Sequence, residues 1–110
     1  MYISAEAGII NVRQADSFLK RFRGLMLKAD MPADEALLIA PCSSIHMMWM
    51  LFSIDAVFID RNYRVLKVVK GLRPWIGLAV CPGAWAALEL KAGAADFYVI
   101  KKDSVLEIHE

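Results

Sequence analysis

The run Cys42-Ser43-Ser44-Ile45-His46-Met47-Met48-Trp49-Met50 brings thiol, imidazole, thioether and indole groups together. In an extended strand alternate side chains share a face, so Cys42, Ser44, His46, Met48 and Met50 project to one side. Ser43, Ile45, Met47 and Trp49 project to the other. Sulfur and imidazole on one face suit Cu(I), so His46, Met48 and Met50 are the candidate metal ligands, with Cys81 or His109 as an addition. The spacing matches no zinc signature, and methionine more often fills awkward gaps in a core. Core packing is therefore the favoured reading, and no metal or cofactor is assigned. Cys42 or Cys81 with His46 would give a nucleophile and a base, but neither cysteine lies in a recognisable catalytic motif.

Two carboxylates keep apolar company. Asp55 stands between Ile54 and Ala56, and Glu89 between Leu88 and Leu90. Were they to meet each other or His46 in a pocket, burial would raise a carboxylate pKa and equip it for general acid-base work on a small polar substrate or a carbohydrate. The plainer expectation is that each accepts backbone N–H groups at a strand end or pairs with Arg73. A third feature is Leu72-Arg73-Pro74-Trp75-Ile76, in which Pro74 stiffens a loop and presents Arg73 beside Trp75. Arg and Trp are enriched at binding hot spots, and with Trp49 and Trp85 they could line a groove for a peptide, a glycan or an apolar small molecule. The alternative is a loop that closes one end of a barrel with its Trp packed inward.

The elements that must carry these residues read as mostly β. Ile9 to Val12 is β-prone and leads to Asp16 or Ser17, either of which could cap a helix over Ser17 to Lys28. There Phe18, Phe22, Leu25 and Met26 recur at helical spacing opposite Lys20, Arg21, Arg23 and Lys28, with Gly24 weakening the helix. β-like runs then follow closely: Ala36 to Ala40, Ile45 to Phe52, Asp55 to Asp60, Val65 to Val69, Ile76 to Cys81, Ala86 to Lys91 and Val105 to Ile108. Their spacing predicts an antiparallel meander. Asp60 to Arg64 reads as a hairpin connection with Asn62 at positive φ, and Pro82-Gly83 as a second turn.

Composition narrows the function classes. The 110 residues are 58% hydrophobic and 23% charged, which predicts one domain with a large core. Thirteen basic against twelve acidic residues leave a net charge of +1, which argues against a nucleic-acid surface. No formal charge falls between Ala36 and Ile54, but Pro41 and several polar residues break that run, so no transmembrane segment is expected. The start, with Glu6 and no Lys or Arg before its apolar stretch, lacks the basic region of a secretory signal. A soluble, cytoplasmic protein is expected, as a monomer or homodimer. The redox state of Cys42 and Cys81 stays open.

The chain also resembles the bacterial and archaeal family called domain of unknown function 192. The resemblance runs through Gly24-Leu25-Met26, Ile45-His46, Trp49-Met50, Ile54 to Asp60, Leu72 to Trp75, Leu88-Glu89-Leu90 and Ala92-Gly93. It implies a β-sandwich or irregular barrel, largely antiparallel, with one or two short helices, and no established reaction. Departures from the family pattern fall in turns, where Ser53 replaces a usual proline, and Tyr63 and Lys102 replace glycines. Together these readings give a binding or accessory domain whose groove for a small molecule or a protein partner lies near His46, Trp49, Met50, Asp55, Arg73, Trp75 and Glu89. The competing readings are an enzyme using Asp55 and Glu89, the copper site, and an assembly partner offering a sheet edge or apolar patch.

Overall fold

In a computed structural model of the chain, residues 1–15 and 30–110 are described. The strands are β1 (Tyr2–Ala5), β2 (Gly8–Ala15), β3 (Glu35–Ile39), β4 (Ser44–His46), β5 (Ile54–Ile59), β6 (Val65–Leu72), β7 (Leu78–Val80), β8 (Ala86–Lys91) and β9 (Glu107–His109). One short helix, α1 (Ala94–Phe97), follows β8. The fold is mainly β, as expected. The helix anticipated over Ser17 to Lys28, with its cap and Gly24, lies outside the described residues.

Seven strands form one sheet in the order β6-β5-β8-β3-β2-β1-β9, and β4 pairs with β7 as a separate ribbon. Every pairing is antiparallel except β2 with β3. The simple meander is thus corrected: β8 inserts between β5 and β3, and β2 and β3 run parallel. Parallel neighbours need a long crossover, and the stretch between Ala15 and Glu35 is long enough to supply one. One segment also reaches both sheet edges. Val65 N–H donates to Ser104 O (2.8 Å) and Leu106 N–H to Tyr63 O (2.9 Å) before the same chain enters β9 and pairs with β1. The sheet therefore curls into an irregular half-barrel.

Two apolar clusters explain why β5 and β8 are buried along nearly their whole length. Val57, Ile59, Leu88 and Leu90 point into the barrel with Ile3, Ile10, Val12 and Leu38. Ala56, Phe58 and Ala87 point outward and are covered by Ile45, Met47 and Ala79 of the ribbon and its loop. β2, which no described element covers on its outer face, alternates Ile10 and Val12 inward with exposed Ile9, Asn11 and Arg13. Strands apolar on both faces are thus the ones carrying a second layer.

The turns depart from expectation at single residues. Asp60 Oδ1 accepts Asn62 N–H (2.9 Å) and Arg64 N–H (3.0 Å), and the left-handed residue is Tyr63 (φ 61°), as its place at a usual glycine position implies, rather than Asn62. This is a type I turn followed by a left-handed bulge, in which the last position carries the positive φ. Asp103 (φ 73°), not Lys102, is left-handed in the later turn. The run Ile45 to Phe52 is not one strand. It ends at His46, because Met50 N–H turns back to Met47 O (3.0 Å) and Trp49 takes φ 69°.

Candidate functional site

Asp55 and Glu89 sit one residue apart in register on adjacent strands: Asp55 lies opposite Leu90, and Ala56 opposite Glu89. Side chains alternate along a strand, so the two carboxylates project from opposite faces of the sheet. The acid-base pair anticipated from them is not formed, and His46, exposed on the outside of the ribbon, joins neither.

Asp55, 1% exposed, faces the barrel interior. A register shift in β6 leaves it without a strand partner there, and its carboxylate takes over the role. Oδ1 accepts Gly71 N–H (2.9 Å), while Oδ2 accepts Gly93 N–H and Ala95 N–H (both 3.0 Å). Two of these donors come from left-handed glycines, Gly71 (φ 63°) and Gly93 (φ 94°). One side chain therefore fastens β5, the bulge of β6 and the entry to α1. That is a structural duty, of the backbone-accepting kind expected, performed by a side chain only 1% exposed. Arg73 pairs with neither carboxylate.

Glu89, 7% exposed, faces the other cluster, flanked across the sheet by Leu37 and Ala56. Among the described residues nothing donates a hydrogen bond to it or pairs with it. Burial, which strips away most of its water, pushes its carboxyl up to about 7.

The exposed end of the ribbon is where the remaining candidates meet. Ile45 and Ala79 oppose one another and face the sheet, so His46, opposite Leu78, and Ser44, opposite Val80, face outward. Met47 organises the loops beyond. Its N–H donates to Gly77 O (2.9 Å), and its carbonyl accepts Trp75 N–H (2.7 Å) as well as Met50 N–H. The two loops approach so closely that a Cβ on Gly77 would lie 2.7 Å from Met47 Cγ and 2.8 Å from Arg73 O, which only glycine avoids. The result is an indole pair: the rings of Trp49 and Trp75 lie 5.1 Å apart, tilted by 59°. Both are about half exposed, at 50% and 47%, and both sit on left-handed backbone, at φ 69° and 68°. Such backbone costs an L-residue about 1–2 kcal/mol.

Around the pair, Met48, Leu51, Ile76 and Leu78 are also exposed, as is Arg73. Leu51, Ile76 and Leu78 were missed by reasoning from the sequence, because each falls in a run that reads equally well as a buried strand. Trp85 stands apart, its ring 5.9 Å from Tyr63 and under the Arg61 guanidinium (5.7 Å). Met50 is buried in the layer beneath, while His46 and Met48 are exposed, so the one-faced ligand row that a continuous strand would make is broken after His46. Among the described residues no three His, Cys, Asp or Glu side chains gather, and His109 is bound to Ser4 Oγ (2.8 Å) on β9. Cys42 and Cys81 form no disulfide, and Cys42 Sγ donates to Ser44 O (3.1 Å). No helix among the described residues is long and apolar enough to cross a membrane.

Residues 2–108 match the family described as "Uncharacterized ACR, COG1430", DUF192. A UPF0127 protein of Thermococcus sibiricus is 37% identical over 94 residues, covering 78% of this chain and 58% of the relative. Another from Pyrococcus horikoshii is 46% identical over 69 residues, covering 58% and 57%. The chain spans a little under three fifths of the length of these relatives. Two solved structures share its fold at a TM-score of 0.84 and 19% identity. One, a protein of unknown function from Novosphingobium aromaticivorans, is matched over 97% of this chain and 82% of its own. The other, a putative transcription regulator from Sinorhizobium meliloti, is matched over 96% and 89%.

Proposed function

We propose that this chain, which belongs to the DUF192 family, is a binding domain that docks a protein partner through the Trp49–Trp75 surface. The observation that carries this reading is the indole pair itself: two large aromatic side chains left half in water, each on backbone that disfavours any residue but glycine. Packing alone does not call for that arrangement. Trp, Met and Arg are the residue types enriched at protein interfaces, and Met48, Arg73, Ile76 and Leu78 surround the pair. A partner presenting apolar side chains would remove this surface from water, with His46 and Arg73 at the polar rim. Three of the blocks that carry the family resemblance, Ile45-His46, Trp49-Met50 and Leu72-Arg73-Pro74-Trp75, meet here.

The test is site-specific photo-crosslinking in the native host from Ile76, beside the pair, and from Ile9, exposed on β2. One partner protein is expected to label from position 76 and not from position 9. In the purified complex Trp75→Ala should then weaken binding at least about tenfold. Equal labelling from both positions, no adduct from position 76, or a complex indifferent to Trp75→Ala would each refute the assignment.

A further inference from the structure

Between the outer edge of β6 and the end of β7 lies a cleft of about 600 Å³. That volume falls within the range of about 300–1,000 Å³ usual for small-molecule sites. Its apolar lining comes from Leu66 and Val68 of β6, Val80 and Ile100, and its charged lining is all lysine: Lys67, Lys70, Lys101 and Lys102. No acidic side chain lines it.

The lysines differ in what already holds them. Lys67 Nζ donates to Val80 O (2.9 Å) across the cleft and ties its two walls, and Lys70 pairs with Asp96 (2.5 Å). The ammonium groups of Lys101 and Lys102 have no partner among the described residues. They stand on a fixed turn, where Ser104 Oγ donates to Lys101 O and Asp103 is held by Arg64 (3.1 Å). The nearby acids, Asp96 and Asp103, are thus each committed to a cation. In a chain whose net charge is only +1, three lysines without a carboxylate partner line one partly apolar cleft.

We propose that this cleft binds a small amphipathic anion, a phosphate monoester or carboxylate carried on an apolar body. Lys101 and Lys102 hold the charged head, and Leu66, Val68 and Ile100 receive the apolar part. Lysine is a point-charge donor suited to such heads, and a cleft with low-dielectric walls focuses its field. An extended peptide added along β6 fits less well. Residues 103–106 already occupy the start of that edge, and the Lys67 contact to Val80 O bridges the path further on.

The test is titration of the full chain, followed by amide chemical shifts, with octyl phosphate, octanoate, octanol and inorganic phosphate, each below any micellar concentration. Octyl phosphate or octanoate is expected to move the amides of 66–70, 80–81 and 100–102 at sub-millimolar concentration, and which of the two binds more tightly identifies the head group. Octanol and inorganic phosphate should each bind at least tenfold more weakly. Lys101→Glu combined with Lys102→Glu should weaken the better ligand at least tenfold. Of two single variants with the same change in charge, Lys101→Glu should weaken it several-fold and Arg73→Glu, on the indole surface, less than twofold. The proposal is overturned by inorganic phosphate or octanol binding as well as the amphiphile, by equal effects of Lys101→Glu and Arg73→Glu, or by shifts confined to the Trp49 and Trp75 loops. It is equally overturned by no shifts at millimolar octyl phosphate, which would make the lysines guards of an open sheet edge.

Discussion

The two faces of the β5–β8 ladder each bury a carboxylate, and they treat it in opposite ways. On the barrel face Asp55 receives three backbone N–H groups, whereas on the ribbon face Glu89 receives none among the described residues. The two are almost equally hidden, at 1% and 7% exposure. What separates them is donors. Oriented N–H dipoles replace the water that an ionised carboxylate loses, and without them burial favours the protonated form. Buried acid is therefore no guide to function until its donors have been counted. Asp55, the better connected, is structural, and Glu89, the unconnected one, is the group that titrates near neutrality.

Removing Asp55 should have the largest effect. Asp55→Ala removes the acceptor of three N–H groups, one buried and two partly buried, and should cost about 3–5 kcal/mol, much of the stability of a domain this size. Chemical denaturation should show it; a loss under about 1 kcal/mol would mean that water reaches the three N–H groups. Glu89 should show its difference as pH dependence. Its folded-state pKa lies above the ordinary 4.5, so between pH 4.5 and about 7 the folded chain binds more protons than the unfolded one, and stability falls as pH rises. The total loss across that window is about 3 kcal/mol, with no further change from this group above it. Glu89→Gln should match the parent near pH 4.5 and exceed its stability by up to about 3 kcal/mol at pH 8. Parallel stability curves for the two would mean that the Glu89 carboxylate has found a donor or solvent.

The same comparison marks what could be read in advance. That Asp55 and Glu89 are buried followed from their apolar neighbours, and that Asp55 serves the backbone was one of the readings offered. Their placement on opposite faces was not legible, because it depends on β5 and β8 being adjacent with Ala56 opposite Glu89, and β8 reaches that place across the sequence. The strands β5, β6 and β8 announced themselves by apolar runs between turn residues. β1 and α1, at four residues each, are too short to show a period and exist through their partners. The indole pair was half visible: Trp49 and Trp75 were both candidates, but only the backbone of Met47, bonding to both loops, unites them and leaves Trp85 aside. The lysine cleft left no signal, because Lys67, Lys70, Lys101 and Lys102 each read alone as an ordinary solvated charge.

The smallest effect concerns how the barrel face obtains its donors. Gly71 presents its N–H to Asp55 from φ 63°, and a Cβ built there meets nothing within 4 Å. Gly71→Ala therefore tests backbone conformation without a clash. It should cost about 1–2 kcal/mol, the penalty of an L-residue in the left-handed region, and leave the slope of stability with pH from Glu89 untouched. Combined with Asp55→Ala, the glycine substitution should cost less than it does alone, because the N–H it positions no longer has its acceptor and the bulge is free to relax. Full additivity in that double-mutant cycle would mean that the bulge of β6 is held by the strand ladder alone, and that the carboxylate merely follows a backbone already in place.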